Sequence, residues 1–163
     1  MGTPFTQVYN RFLGKITDDM YMELTPEDTV RDLRNLLIDA IPGFEFPRVN
    51  LLDYTIIEAE NALEEESSFA ADLSSEEINI LAILMMIGWT QRQITSIENT
   101  RMKYSSSDFK FTSQANHLDK LLSLLAETQR QSHHMQRLYG RRKYTDGRIE
   151  SNWSILRSSN VIN

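Results

Sequence analysis

Phe5, Val8, Phe12, Leu13 and Ile16 recur at helical spacing behind Thr3-Pro4, an N-cap and first-turn proline, and predict a short amphipathic helix. Polar Thr17, Asp18 and Asp19 break the period. The start signal returns at Thr25-Pro26-Glu27-Asp28, where acidic residues suit the positive end of a helix dipole. Val30, Leu33, Leu37, Ala40 and Ile41 mark the buried stripe of this second helix, and Pro42-Gly43 ends it. Ser74 and Glu77 have capping-box spacing and open a third helix that runs past Ile97. From Ile78 to Ile87 it is apolar nearly all round, which predicts burial on several sides and a central position. A fourth helix begins near Ser113 with Leu118, Leu121, Leu122 and Leu125 on one stripe. That stripe weakens to polar residues before Met135 and Leu138, so its far end is expected to lie exposed or under a neighbouring subunit.

The period changes between these helices. Phe44, Phe46 and Pro47 lead into LLDYTIIEAEN, whose β-branched and aromatic residues favour extended chain. With the acidic turn at Glu64 to Ser68 and the return through Phe69 and Leu73, a hairpin is expected over about residues 51–73. The run EAENALEEE within it is also good helix material. Tyr104, Phe109 and Phe111 crowd the polar corner between the third and fourth helices and are expected to act as a structural elbow that sets their angle. After Gly140 the chain turns basic, passes a turn-like Thr145-Asp146-Gly147-Arg148, and sets Ile149, Trp153, Ile155 and Leu156 among Ser and Asn. The expected fold is mainly α: a four-helix subunit over residues 1–143 with a small β hairpin, and an extended C-terminal arm over 144–163.

At 163 residues the chain has material for one core. Its longest apolar run, Ile78 to Trp89, is interrupted by Asn79 and Gly88 and is too short for a membrane span, so no membrane partner is expected. No basic region followed by an apolar run stands at the N-terminus, so no export signal is expected. The net charge of −6 conceals a division. Nine acidic residues and no Lys or Arg lie between Asp53 and Glu77, whereas Arg130 to Asn163 carries seven basic residues against Asp146 and Glu150. Two solvated faces would account for this; so would complementary contacts between copies or with a partner.

Chemistry has little to work with. Without cysteine there is no thiolate nucleophile, disulfide or Cys-based zinc site. His133 and His134 are adjacent and point about 100° apart on a helix, a poor shared metal site. His117 reads better as a hydrogen-bonded structural residue than as a general base. The six glycines are dispersed and form no phosphate-binding loop. No enzyme and no cofactor is expected. Arg137 to Lys143, with Tyr139 and Tyr144 interleaved, suits phosphate contact and keeps open a nucleic-acid-associated packaging or regulatory protein as the alternative function. In the arm, the alternation of Trp153, Ile155 and polar neighbours suits addition to a foreign sheet edge.

The segments FLGKITDDMYMELTPEDTVRDLRNLLIDAIPGFEFPR, FAADLSSEEINILAILM and RMKYSSSDFKFTSQANHLDKLLSL resemble the head-to-tail adaptor, or head completion, proteins of tailed bacteriophages, over about Thr3 to Tyr144. The resemblance implies a structural virion protein of the neck, assembled in the host cytoplasm, whose copies form a dodecameric ring beneath the portal protein after DNA packaging. It implies a portal-binding arm that includes Tyr144, Arg148, Ile149, Trp153, Ile155 and Leu156. Contacts to neighbouring subunits or to a tail or stopper protein would fall on Tyr54, Ile56, Glu64, Glu65, Phe69, Arg137, Arg141 and Arg142. Arginines facing the lumen would meet exiting DNA without sequence specificity.

Overall fold

Two of the start signals form caps. In the computed structural model, which describes residues 2–16, 24–57, 67–103, 111–145 and 148–151, Thr25 Oγ1 accepts the Asp28 N–H at 3.2 Å and Pro26 takes the first helical position of α2, Pro26–Ala40. A 3-10 turn, Ile41–Gly43, closes that helix where Pro42-Gly43 marks its end. Ser74 and Glu77 make the reciprocal capping box of α3, Ser75–Lys103: Ser74 Oγ accepts the Glu77 N–H at 3.3 Å, and the Glu77 carboxylate accepts the Ser74 N–H at 2.7 Å. The first helix, α1, spans Phe5–Leu13, and the fourth, α4, spans Phe111–Arg141.

Thr3 does not cap α1. Pro4 holds the N-cap position with no side-chain bond, and Thr3 is extended chain: its N–H donates to Ala71 O and its carbonyl accepts from Phe69 N. Its hydroxyl accepts the Leu73 N–H at 2.7 Å. Sheet pairing captures the residue that local spacing assigns to the helix.

The third helix is central, packing against α1, α2 and α4. Phe5, Val8 and Phe12 of α1, Leu33, Leu36 and Leu37 of α2, and Ile80, Leu81, Ala82 and Met85 of α3 form one buried cluster. Side chains of this kind contribute about 1.5–3 kcal/mol each on burial, so α3 owes its place to apolar residues on several faces. The pair α3 and α4 is antiparallel, since Tyr139 meets Glu77 while Met135 meets Asn79.

Along α4 the polar far end departs from the expected pattern. Of the apolar stripe, Leu121 is buried, Leu118 and Leu125 are half-buried and Leu122 is 46% exposed, whereas Thr128, Ser132, Gln136 and Tyr139 of the polar far end are buried within the same chain. The four polar residues recur at helical spacing and bring their own partners. Thr128 Oγ1 donates to Leu124 O at 2.7 Å, Gln136 Nε2 donates to Ser132 Oγ and to Gly43 O at 3.2 Å, and Tyr139 donates to Glu77. Satisfied in this way, the stripe can be buried without a neighbouring subunit.

The hairpin expected over 51–73 is present at its base. β1, Tyr54–Thr55, pairs antiparallel with β2, Ser68–Phe69, in the register Tyr54 to Phe69 and Thr55 to Ser68. Pro4 bridges Ser68 on the other side of β2, so the small sheet gains a third member from the N-terminus. Glu64 and Glu65 lie outside the described residues, as does the possible helix of that run. A second hairpin follows α4, with β3, Arg142–Thr145, antiparallel to β4, Arg148–Ser151. The boundary expected at 143/144 therefore falls inside β3, and the start of the arm is folded. Of the elbow, Tyr104 and Phe109 lie outside the described residues, and Phe111 opens α4.

Candidate functional site

The end of α4 is held to the body by polar contacts that converge on the loop after α2. Tyr139 is fully buried. Its hydroxyl donates to Glu77 Oε1 and accepts the Arg48 N–H at 3.1 Å, while its ring packs 5.3 Å from Phe44. The Arg48 guanidinium lies 4.1 Å from the Tyr139 ring centroid and donates to the carbonyls of Tyr139 and Arg142, placing a cation at the negative end of the α4 dipole. Gln136 bridges the same loop, accepting the Glu45 N–H at 2.7 Å and donating to Gly43 O. Arg142 pairs with Glu76 at 2.8 Å. Burial, then the bond to Glu77, pushes the Tyr139 phenol well above its ordinary pKa.

This clasp positions a surface. Phe46 is 67% exposed and Leu52 73%, in and after the loop that Arg48 and Gln136 anchor, and Ile56 and Ile57, which follow β1, are also exposed. Leu51 is buried in the core cluster, and the Asn50 carboxamide accepts the Leu52 N–H at 3.1 Å, which holds the loop in shape. An ordered apolar surface loses little entropy on binding.

The residues expected at subunit contacts separate into distinct settings. Ile56 is exposed. Tyr54 is half-buried, its ring 5.8 Å from Phe5. Phe69 is fully buried, 4.7 Å from Phe5, and belongs to the core rather than to a contact surface; pairing with β1 and Thr3 turns it inward. Arg137 and Arg141 are exposed, but Arg142 is bound to Glu76 within the chain. In the arm, the register sets Tyr144 opposite Ile149 and Thr145 opposite Arg148. Trp153, Ile155 and Leu156 lie outside the described residues.

The features that raised other chemistry are dispersed. His117, His133 and His134 are exposed, and His133 stands 3.5 Å from Glu45. Among the described residues no group of His, Asp and Glu is arranged to hold a metal ion, and no helix is long and apolar enough to cross a membrane. An open groove of about 790 Å³ runs between α2 and α3 over Leu36, Ala40, Leu84, Ile87 and Gly88; its cation, Arg92, is paired with Asp32 and Asp39. Tyr139, one of two aromatics interleaved with the basic segment, is buried and unavailable for stacking on a base.

Sequence reasoning missed Arg48 and Gln136. The spacing of Thr128, Ser132, Gln136 and Tyr139 was a usable signal for the buried polar seam; Arg48 carried none. Compared with family models, with curated proteins and with solved structures, the chain matches none of them.

Proposed function

We propose that the chain is a structural adaptor subunit of a tailed-bacteriophage neck, forming a ring that joins the portal to the tail or to further neck proteins after DNA packaging. It makes and breaks no bond. The resemblance of the segments around FLGKITDD, FAADLSSEE and RMKYSSSDF supports this reading, and one observation carries it: the exposed Phe46 and Leu52 lie on a loop that Glu45 and Arg48 tie by hydrogen bonds to the end of α4, from which the second hairpin emerges, and the exposed Ile56 and Ile57 follow the strand that this loop leads into. That arrangement suits a subunit that must meet partners at one end while its helical body stays fixed. In the mechanism, residues 152–163 dock on the portal, complementary charge closes the ring, and the ring becomes a platform for the next component.

The test is truncation after Ser151, which leaves both described hairpins in place. The truncated protein is expected to fold as the full chain does and to fail to join portal-containing particles in a sedimentation assay. Undiminished association would overturn the arm's role. Tight binding of duplex DNA by the isolated subunit at moderate salt would favour the nucleic-acid-associated alternative instead.

A further inference from the structure

The outer edge of β1 can be assigned residue by residue. Ala70 N–H donates to Asp53 O at 2.9 Å, and the register pairs Tyr54 with Phe69 and Thr55 with Ser68. In an antiparallel ladder hydrogen-bonded pairs alternate, so Asp53 and Thr55 turn their main-chain groups toward β2. Ile57 continues the alternation, its N–H donating to Ser67 Oγ at 3.1 Å. The N–H and C=O groups of Tyr54 and Ile56 therefore face away from β2, and among the described residues no strand pairs with them. On its far side β2 is already covered, by Thr3, Pro4 and Phe5. Among the described residues the β1 edge of the sheet is left unpaired, beside the exposed side chains of Ile56 and Ile57.

The hairpin β3–β4 has complementary properties. It is a two-stranded sheet whose principal contact with the rest of the chain is α4, and an isolated two-stranded hairpin is marginal in water. Its strands carry Lys143 and Arg148 against Glu150, with Arg142 already paired to Glu76 of its own chain, and follow the exposed Arg137 and Arg141. The β1 edge begins beside the exposed Asp53 and leads into a stretch of sequence, Glu58 to Glu66, with five acidic residues and no base. Two β1 edges meeting each other would bring like charge together. Charge selects the opposite pairing, of acidic edge with basic hairpin.

We infer that the β3–β4 hairpin of one copy adds through β3 to the β1 edge of the next, extending the small sheet across a head-to-tail interface. Because the two surfaces differ, each copy offers one edge and one hairpin, and the contact repeats around a ring. The inference rests on the ring reading above and names its contact. It leaves residues 152–163 free for the portal.

Ile56→Pro tests it directly. Proline removes an N–H that faces away from β2, so pairing between β1 and β2 survives while the outer edge is blocked. Sedimentation velocity over a concentration series is expected to show reversible assembly of the wild type, weakened by added salt, and a loss of at least tenfold in association for the variant, with unchanged circular dichroism. Since the chain has no cysteine, Ile56→Cys and Lys143→Cys proteins can be mixed with a short bis-maleimide. Cross-linking is expected in the mixture and not in either protein alone. Assembly of Ile56→Pro at wild-type strength, cross-linking of Ile56→Cys to itself, or a wild type that stays monomeric at every concentration overturns the inference. None of these outcomes touches the portal reading, whose truncation test reads residues 152–163 alone.

Discussion

Tyr139 shows how much one side chain decides. Its hydroxyl serves Glu77 and Arg48 at once, so Tyr139→Phe leaves a buried carboxylate oxygen and a main-chain N–H short of a partner. The expected cost is about 1–3 kcal/mol, measured by urea denaturation. The pH dependence has a definite sign. The folded phenol has a raised pKa, so its contribution is complete below the unfolded tyrosine value of about 10 and is lost as pH climbs beyond it. The wild type is expected to lose stability more steeply than the Phe variant in alkaline solution, and parallel curves would refute this. Gly2 makes a different point. A Cβ there would stand 1.8 Å from the Phe69 carbonyl oxygen, a main-chain atom that cannot turn aside. Gly2→Ala is expected to lower the thermal midpoint by the equivalent of about 1–3 kcal/mol, as overpacking does. Nothing in the residues near Gly2 announces this, because the constraint comes from a strand almost seventy positions away.

At the scale of the element, capping was the most legible feature. Thr25 with Pro26, and Ser74 with Glu77, are local signals whose partners lie within one turn, and both form as their spacing predicts. Ser74→Ala is expected to cost about 1 kcal/mol, read from the shift in denaturation midpoint. Thr3-Pro4 carried a similar signal and failed, because pairing with β2 offered Thr3 more bonds than a cap would. The far half of α4 misled for a related reason. Apolar periodicity finds stripes buried by hydrophobicity, and Thr128, Ser132, Gln136 and Tyr139 are buried through hydrogen bonds to partners up to 93 positions distant. Arg48→Ala removes the donor at the carbonyl end of that helix. Hydrogen exchange is expected to quicken by about tenfold or more in the last turn of α4 and in β3 while α1 is unchanged, an opening of about 1.4 kcal/mol. Uniform quickening would mean general destabilisation instead.

For the whole molecule, the four-helix order and the base of the first hairpin were readable because each follows from a run of the sequence on its own. The docking end was only partly so. Only the resemblance points to Ile56; the exposure of Phe46 and Leu52 depends on how the loop after α2 settles against α4, and the inward turn of Phe69 on pairing with Thr3 and β1. Among the described residues the buried cluster draws its members from Phe5 to Tyr139 and is satisfied within them; removal of residues 152–163 is expected to leave the unfolding midpoint unchanged within about 1 °C by calorimetry. A marked drop would place part of the core in that segment.

The antiparallel run of α3 and α4 also sets a path for force. The second hairpin leaves the body at the end where α3 begins, and Arg48 and Glu76 are bonded across that junction to Arg142. Tension applied to the hairpin along the α4 axis would load these bonds and the Tyr139–Glu77 link together, in shear, rather than peel them one at a time. A pull on this subunit is thus borne first by its polar seam, with the apolar cluster around α3 kept in reserve.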